Sequence, residues 1–476
     1  MYVQTKAPTK LITETEATKV PDTDVPDVLK RDLLFIPNIP ESDVVRHYTR
    51  LASMNFGVDN GPYPLGSCTM KYNPKYADRI VSMGKASDIH PYQDAATVQG
   101  TLEMMYDMER KLASITGMDA FTLQPAAGAH GEFTAMLMVK AYHDSRGENR
   151  DEVVIPDSAH GTNPASAAML GFKVIEIPSG PDGSVDIDAL RSAVSERTAA
   201  FMLTNPNTLG MFEKNIKEVA KAVHDAGALM YYDGANLNAI MGITTPGKMD
   251  FDVVHVNVHK TFGAPHGGGG PGSGPVGVKK MLMPFLPSPL IKKDGERYSM
   301  EDNGKLSIGK VKAFYGNIAV VLRGYAYILR KGTDGLSDAT VRAVLNSNYL
   351  KECIKDVYDV PYGDLKKHEF VASASKLRKE KGIKALDVAK RMIDHGIHPP
   401  TIYFPMLVEE SMMFEPTEDC SMDDLNNMAD VLRKIASEDP GIVMNAPYNT
   451  SVSRVDETKA AKDAILSTRY LRNRNE

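Results

Sequence analysis

The sequence has no tryptophan, only three cysteines in 476 residues, and no excess of positive charge. No apolar run reaches the roughly 18 residues needed to span a bilayer. The first twenty residues, MYVQTKAPTKLITETEATKV, lack the apolar stretch of a secretory signal. Cys68, Cys353 and Cys420 are widely separated and form no CxxC pair, which argues against a disulfide framework and against a structural zinc site. The formal net charge of -6 is the wrong sign for a nucleic-acid surface. What remains is a soluble, cytoplasmic protein that acts on a small molecule, with no nucleic-acid partner, no membrane segment and no metal site.

What is present is ordinary globular composition, 42% hydrophobic and 24% charged, in a chain long enough for two or three packed regions. Residues 1–100 read as an extended arm followed by helical and loop segments, with a short helix near Ser42 to Phe56 and a turn-dense stretch, GPYPLGSCTMKYNP, carrying Ser67, Cys68, Thr69 and Lys71. Such arms often clasp a partner chain. From about Thr101, strand-sized apolar runs (EVVIP, KVIEIP, AAFMLT, ALMYYD, VVHVNVH) alternate with helical segments such as EKNIKEVAKAVHDAG. This alternation predicts an α/β domain over 101–335, with a mostly parallel sheet covered by helices on both faces. A smaller C-terminal domain is expected over 336–476.

Ligands of open α/β sheets bind at the carboxyl ends of the strands, so the residues following each apolar run carry the most information. Asp233 ends ALMYYD, where a carboxylate needs a donating or positive partner, such as a protonated pyridine nitrogen; taken alone, a helix-capping Asp is the commoner reading. VVHVNVHKTFGAPHGGGGPGSGPVGV runs from a strand into His259 and Lys260, then through seven glycines between Gly263 and Gly274 to a second short strand. A lysine desolvated at a strand end can fall well below its usual pKa of about 10.4, which suits imine formation, and glycines let backbone amides approach a phosphate. The glycines do not open a helix, as a nucleotide-binding loop requires. In LQPAAGAHGEF, Ala127, Gly128 and Ala129 precede an apolar helix whose amides and dipole suit a phosphate. His160 in IPDSAHGTNPASA is placed to stack on a cofactor ring or move a proton. LTNPNTLGMFE offers Asn205, Asn207 and Thr208 for hydrogen bonds to a cofactor. Cys68 is read as a small buried hydrophobe more readily than as a redox group.

The motifs SAHGTNPASA, LTNPNTLG, YYDGAN and HVNVHKTFGAPHGGGGPGSGPVGV resemble the P-protein of the glycine cleavage system, the glycine dehydrogenase (decarboxylating) that depends on pyridoxal 5'-phosphate (PLP). PLGSCTMKYNP and NAPYNTSVSRVDETKAA look like it too, so the resemblance runs from about Asp59 to Ala461. Length and motifs are similar to subunit 2 of the two-subunit form, the lysine-bearing half. The resemblance implies the aspartate-aminotransferase type of PLP-dependent transferase fold, with a seven-stranded, mostly parallel sheet. It implies a Schiff base of PLP on Lys260, Asp233 at the pyridine nitrogen, His160 stacked on the ring, and Ala127, Gly128, Ala129, Thr208, Ala235 and His259 around the phosphate and ring substituents. His130 leaves open which histidine stacks. The implied substrate is glycine, and the implied partners are subunit 1, in a heterotetramer, and the lipoyl arm of H-protein.

Overall fold

The computed structural model describes residues 17–19, 26–29, 33–37, 40–159, 162–267, 272–363 and 365–464. Much of the arm expected before residue 60 lies outside them, whereas the helix expected near Ser42 spans Glu41–Ser53. Among the described residues no helix is long and apolar enough to cross a membrane.

The apolar runs of the middle of the chain form one seven-stranded sheet. Its strands are β1 (Ala120–Thr122), β2 (Glu152–Pro156), β3 (Lys173–Ile177), β4 (Thr198–Thr204), β5 (Leu229–Gly234), β6 (Val253–Val256) and β7 (Val276–Val278), in the spatial order β1-β7-β6-β5-β4-β2-β3. The pairs β2/β3, β2/β4, β4/β5 and β5/β6 are parallel, and β7 runs antiparallel to both β6 and β1. Every residue of β2, β4, β5 and β6 is buried, as a parallel sheet with helices on both faces requires. Successive side chains point to opposite faces. Tyr232 accordingly joins the core that holds Leu102, Val219 and Phe262, while Tyr231 joins the core of Met136, Val139 and Phe285.

One expected strand is cut short. VVHVNVH pairs only as far as Val256, opposite Gly234, where β5 ends. With no ladder partner beyond that point the chain turns at Asn257 into a single helical turn, α2 (Val258–Thr261), which follows α1 (Gly128–Ser145) in the chain.

A second core lies around a three-stranded antiparallel sheet of β8 (Phe370–Ser373), β9 (Thr401–Ile402) and β10 (Ser411–Phe414), ordered β8-β10-β9. Phe370 and Phe414 are register partners with stacked rings 5.4 Å apart, and the helices Ala385–Asp394 and Met422–Ser437 bury Val388, Met392 and Leu432 against them. The long helix α3 (Ile318–Ile354) joins the two cores. Val321, Tyr327 and Ile328 pack on the first, Leu350 and Ile354 on the second, and between them Gly332 breaks the helical geometry at φ 60°, ψ −174°. The loop of residues 61–74 is pinned between the cores: Gly66 donates to Met413 O at 3.1 Å, and Thr401 donates its hydroxyl to Gly66 O at 2.8 Å.

Candidate active site

The carboxyl ends of β4, β5 and β6 converge with the start of α1 and the 61–74 loop. Lys260, on α2, is buried, and its Nζ donates to the carbonyl of Ser67 at 2.7 Å. Ser67 and Thr69 both hold left-handed backbone (φ 64° and 48°), which non-glycine residues adopt only when surroundings fix them. The fixing groups are visible. Ser67 N donates to Glu369 (2.8 Å), and Thr69 N and Oγ1 donate to Glu415 (2.8 and 2.5 Å). Lys71 bridges Glu418 (2.8 Å) and Thr261 O (3.1 Å).

Asp233 is buried at the end of β5. Its carboxylate accepts from Ala235 N at 2.9 Å and lies 3.4 Å from Nε2 of His255, its cross-strand neighbour on β6. His255 in turn bonds the Tyr231 hydroxyl through Nδ1 at 2.5 Å. On the other side Asn163, with its amide nitrogen turned toward the acids, donates at 3.0 Å to both Asp233 and Glu132. Glu132, from α1, also accepts from Thr162 Oγ1 (2.6 Å) and Ser166 Oγ (3.1 Å). Burial, and secondarily the charge of Asp233, push the Glu132 carboxyl up to about 8.

Ala127 is the N-cap of α1, with extended backbone and no side-chain cap. A Cβ on Gly128 would stand 2.4 Å from Asn257 Oδ1, and one on Gly274 would stand 1.9 Å from Ala127 O, so Gly128 is required by the Asn257 side chain and Gly274 by close backbone approach. Ala129 is exposed at this helix start. Asn317 ties the same corner together by donating to Ala126 O (3.0 Å) and Gly272 O (2.6 Å). Thr208 is buried and donates its hydroxyl to Ser158 O at 3.0 Å; Ala235 is buried beside Asp233. His259 accepts from Ser273 N at 3.2 Å and meets His266 edge-on at 4.9 Å; burial lowers the two imidazoles to about 3 and about 4, so both are neutral. His160 lies outside the described residues. His130 is partly buried, its Nδ1 accepting from Ala126 N at 3.1 Å. Burial pushes the Cys68 thiol up to about 11, so it is protonated at neutral pH.

Lys260, Asp233, Thr208, His259 and the start of α1 were picked out in the sequence by their places at strand ends and before a helix, and Ala235 by the resemblance alone. Glu132, Asn163, His255 and the pair Glu369 and Glu415 were not. A lone carboxylate in the apolar stretch GEFTAMLMV and a histidine among valines in VVHV were the signals available, since such groups are seldom buried unpaired. Several buried polar atoms at this site have no partner among the described residues: Asn257 Oδ1, Thr261 Oγ1, Ser273 Oγ and His266 Nε2. Buried polar groups are normally satisfied, so these mark where a polar ligand belongs.

The family model described as glycine cleavage system P-protein matches residues 10–299, and that of the glycine dehydrogenase C-terminal domain matches residues 339–455. The probable glycine dehydrogenase (decarboxylating) subunit 2 of Thermoplasma acidophilum is 57% identical over 92% of this chain and 92% of its own length. The protein of the same description from Staphylococcus saprophyticus is 54% identical over 94% and 92%. Among solved structures, an inhibitor-bound glycine decarboxylase (P-protein) of the glycine cleavage system superposes with a TM-score of 0.70 at 20% identity, covering 87% of this chain and 91% of that one. Lactobacillus brevis glutamate decarboxylase gives 0.65 at 11%, covering 88% and 95%. These structures share the fold, that of PLP-dependent enzymes. The sequence matches go further: with a family model spanning residues 10–299 and relatives more than half identical over more than nine-tenths of its length, the chain belongs to the glycine cleavage system P-protein family.

Proposed function

We propose that this chain holds PLP on Lys260 and, as the lysine-bearing subunit of a two-subunit enzyme, decarboxylates glycine and passes the aminomethyl group to the lipoyl arm of an H-protein. The observation that carries the reading is the placement of Lys260. It is a buried amine whose charge acts on Glu132 of α1, the acid that Asn163 ties to Asp233 at the end of β5. Those residues fit the cofactor. The start of α1, at Ala127, Gly128 and Ala129, receives an anionic phosphate through backbone amides and the helix dipole. Asp233, held from both sides by His255 and Asn163, accepts a hydrogen bond from a protonated ring nitrogen. Thr208, Ala235 and His259 line the remaining edge, and His160 is assigned to the ring face. The unpartnered Asn257 Oδ1 and Ser273 Oγ supply further polar contacts.

When bound, PLP supplies the electron sink for loss of CO2 from an amino acid. The chain's own contribution is positional and electrostatic. Asp233 would keep the ring nitrogen protonated, Glu132 is the largely neutral acid that Asn163 ties to it, Ser67 O accepts from Lys260 Nζ, and Lys260 Nζ would take up or return a proton. A desulfurase of the same fold needs a thiolate, and the protonated Cys68 opposes that reading. The cofactor domain is assigned to 101–335, the small domain to 336–476, the compartment to the cytoplasm, and the assembly to a heterotetramer with subunit 1.

The test is exchange of labelled bicarbonate into the glycine carboxyl group in the presence of lipoylated H-protein. Exchange is expected with the companion subunit present and is abolished in Lys260→Ala. A PLP-loaded protein that shows no exchange in any combination overturns the glycine assignment.

A further inference from the structure

The 61–74 loop reaches Lys260 because two acids of the second core hold it. Glu369, just before β8, and Glu415, just after β10, are almost wholly buried, with His368 fully buried beside them. His368 Nε2 lies 3.8 Å from Glu369 Oε1 and 3.6 Å from Glu415 Oε1, and neither ring nitrogen has a hydrogen-bond partner among the described residues. The candidate ligand atoms of all three lie within 4.8 Å of one another. Glu369 also accepts from Asn236 at 3.3 Å, in the turn that follows Asp233. The cluster therefore touches both halves of the site, the loop under Lys260 and the turn beyond β5.

Two carboxylates this close, both out of water, do not both ionise. Burial and the neighbouring acid raise Glu369, burial raises Glu415, and burial with the charges of Lys260 and Lys71 lowers His368 to about 3, so the imidazole is not the proton carrier. The other titratable groups facing the pair are Cys68 on the loop, Lys71 with its partner Glu418, and Lys260. Glu369 accepts at Oε2 from Ser67 N and at Oε1 from Asn236, and Glu415 accepts at Oε2 from Thr69 N and at Oε1 from the Thr69 hydroxyl, so both oxygens of each acid are held. One proton held by the pair is compatible with these contacts and leaves a single negative charge to act on Lys260, whose own charge acts on both acids.

We propose that Glu369 and Glu415 are positioning residues for Lys260: sharing one proton, they fix the Ser67–Thr69 loop so that the Ser67 carbonyl meets the lysine nitrogen, and they present it with one counter-charge. The proposal rests on Lys260 as the cofactor lysine. It is tested on PLP-loaded protein by pH titration of cofactor absorbance, comparing E369Q, E415Q and the double variant. In either single variant the remaining acid carries the charge alone, so the midpoint stays close to that of wild type. The double variant removes the charge and moves the midpoint toward acid by about 1–3 pH units. Single shifts that add up to the double overturn the shared proton, and a double variant with an unmoved midpoint overturns the coupling to Lys260. Infrared difference spectra of wild type against each single variant supply a readout independent of the cofactor and of the double variant's folding. Loss of one protonated-carboxyl band is expected in both, and its absence in both overturns the proposal. A protein that binds no PLP but shows the band loss defeats the cofactor reading and leaves the shared proton standing. Stoichiometric divalent metal in purified protein, removed by H368A, also overturns the proposal, because the three groups would then be ligands.

Discussion

At the scale of single residues the site is a set of charges whose burial is tolerated only because each has a neighbour. Glu132 gives the clearest consequence. Its carboxyl is pushed from an ordinary 4.5 to about 8 by burial and by Asp233, so the folded protein binds a proton that the unfolded chain has lost. The stability this confers is fully present below pH 4.5, and is lost as pH rises through about 8. Glu132→Gln should therefore flatten the decline of melting temperature between those limits, measured by calorimetry across the range; an unchanged slope contradicts the assignment. Sequence reading singled out Lys260 and Asp233 as candidates because strand-end positions are visible in the hydrophobic pattern. It missed Glu132, His255 and Glu369 because their meaning comes from contacts across strands and between cores. Asn236 meets Glu369 across 133 positions of chain, a relation that no local pattern carries.

Elements were legible where periodicity was strong. EVVIP, AAFMLT and ALMYYD form strands as expected, because a continuous apolar run has only a doubly covered sheet in which to lie. VVHVNVH was over-read, since the end of a strand depends on where its neighbour stops. The short strand expected after the glycine loop is β7, but its antiparallel direction had no signature in so short an apolar run. At this scale the corner between α1 and the glycine loop makes a definite prediction. Gly128→Ala places a methyl group 2.4 Å from Asn257 Oδ1 at the mouth of the helix. PLP should bind at least about 10-fold more weakly, or ~1.4 kcal/mol, by titration of the apoprotein. Gly332 offers the matching control. A Cβ there meets nothing within 4 Å, but its positive φ strains any other residue, so Gly332→Ala should cost about 1 kcal/mol of stability and leave cofactor affinity unchanged.

For the whole molecule, the two cores are joined by α3 on one side and by the pinned 61–74 loop on the other. Lys71 and Glu418 form the most buried ion pair of that seam, with side chains 3% and 8% exposed. Removing one partner of such a pair leaves an uncompensated charge. Lys71→Met should destabilise the protein by about 3–5 kcal/mol in denaturant unfolding, and Lys71→Met with Glu418→Gln by clearly less. Equal losses in the two variants contradict a paired role.

The loop that completes the lysine's surroundings joins parts of the chain made at very different times. Ser67 meets Lys260 across 193 positions and Glu369 across 302, and Thr69 meets Glu415 across 346. A chain emerging from the ribosome exposes Lys260 well before the acids that anchor its loop. At ~5–20 residues per second the gap from Lys260 to Glu415 lasts roughly 10 to 30 s. Throughout that interval the reactive amine is present without the carbonyl fixed over it. On the proposal that Lys260 holds PLP, the aldehyde is captured in its final setting only after synthesis has passed Glu415, and shortening the nascent chain before that point yields a lysine that is present but unplaced.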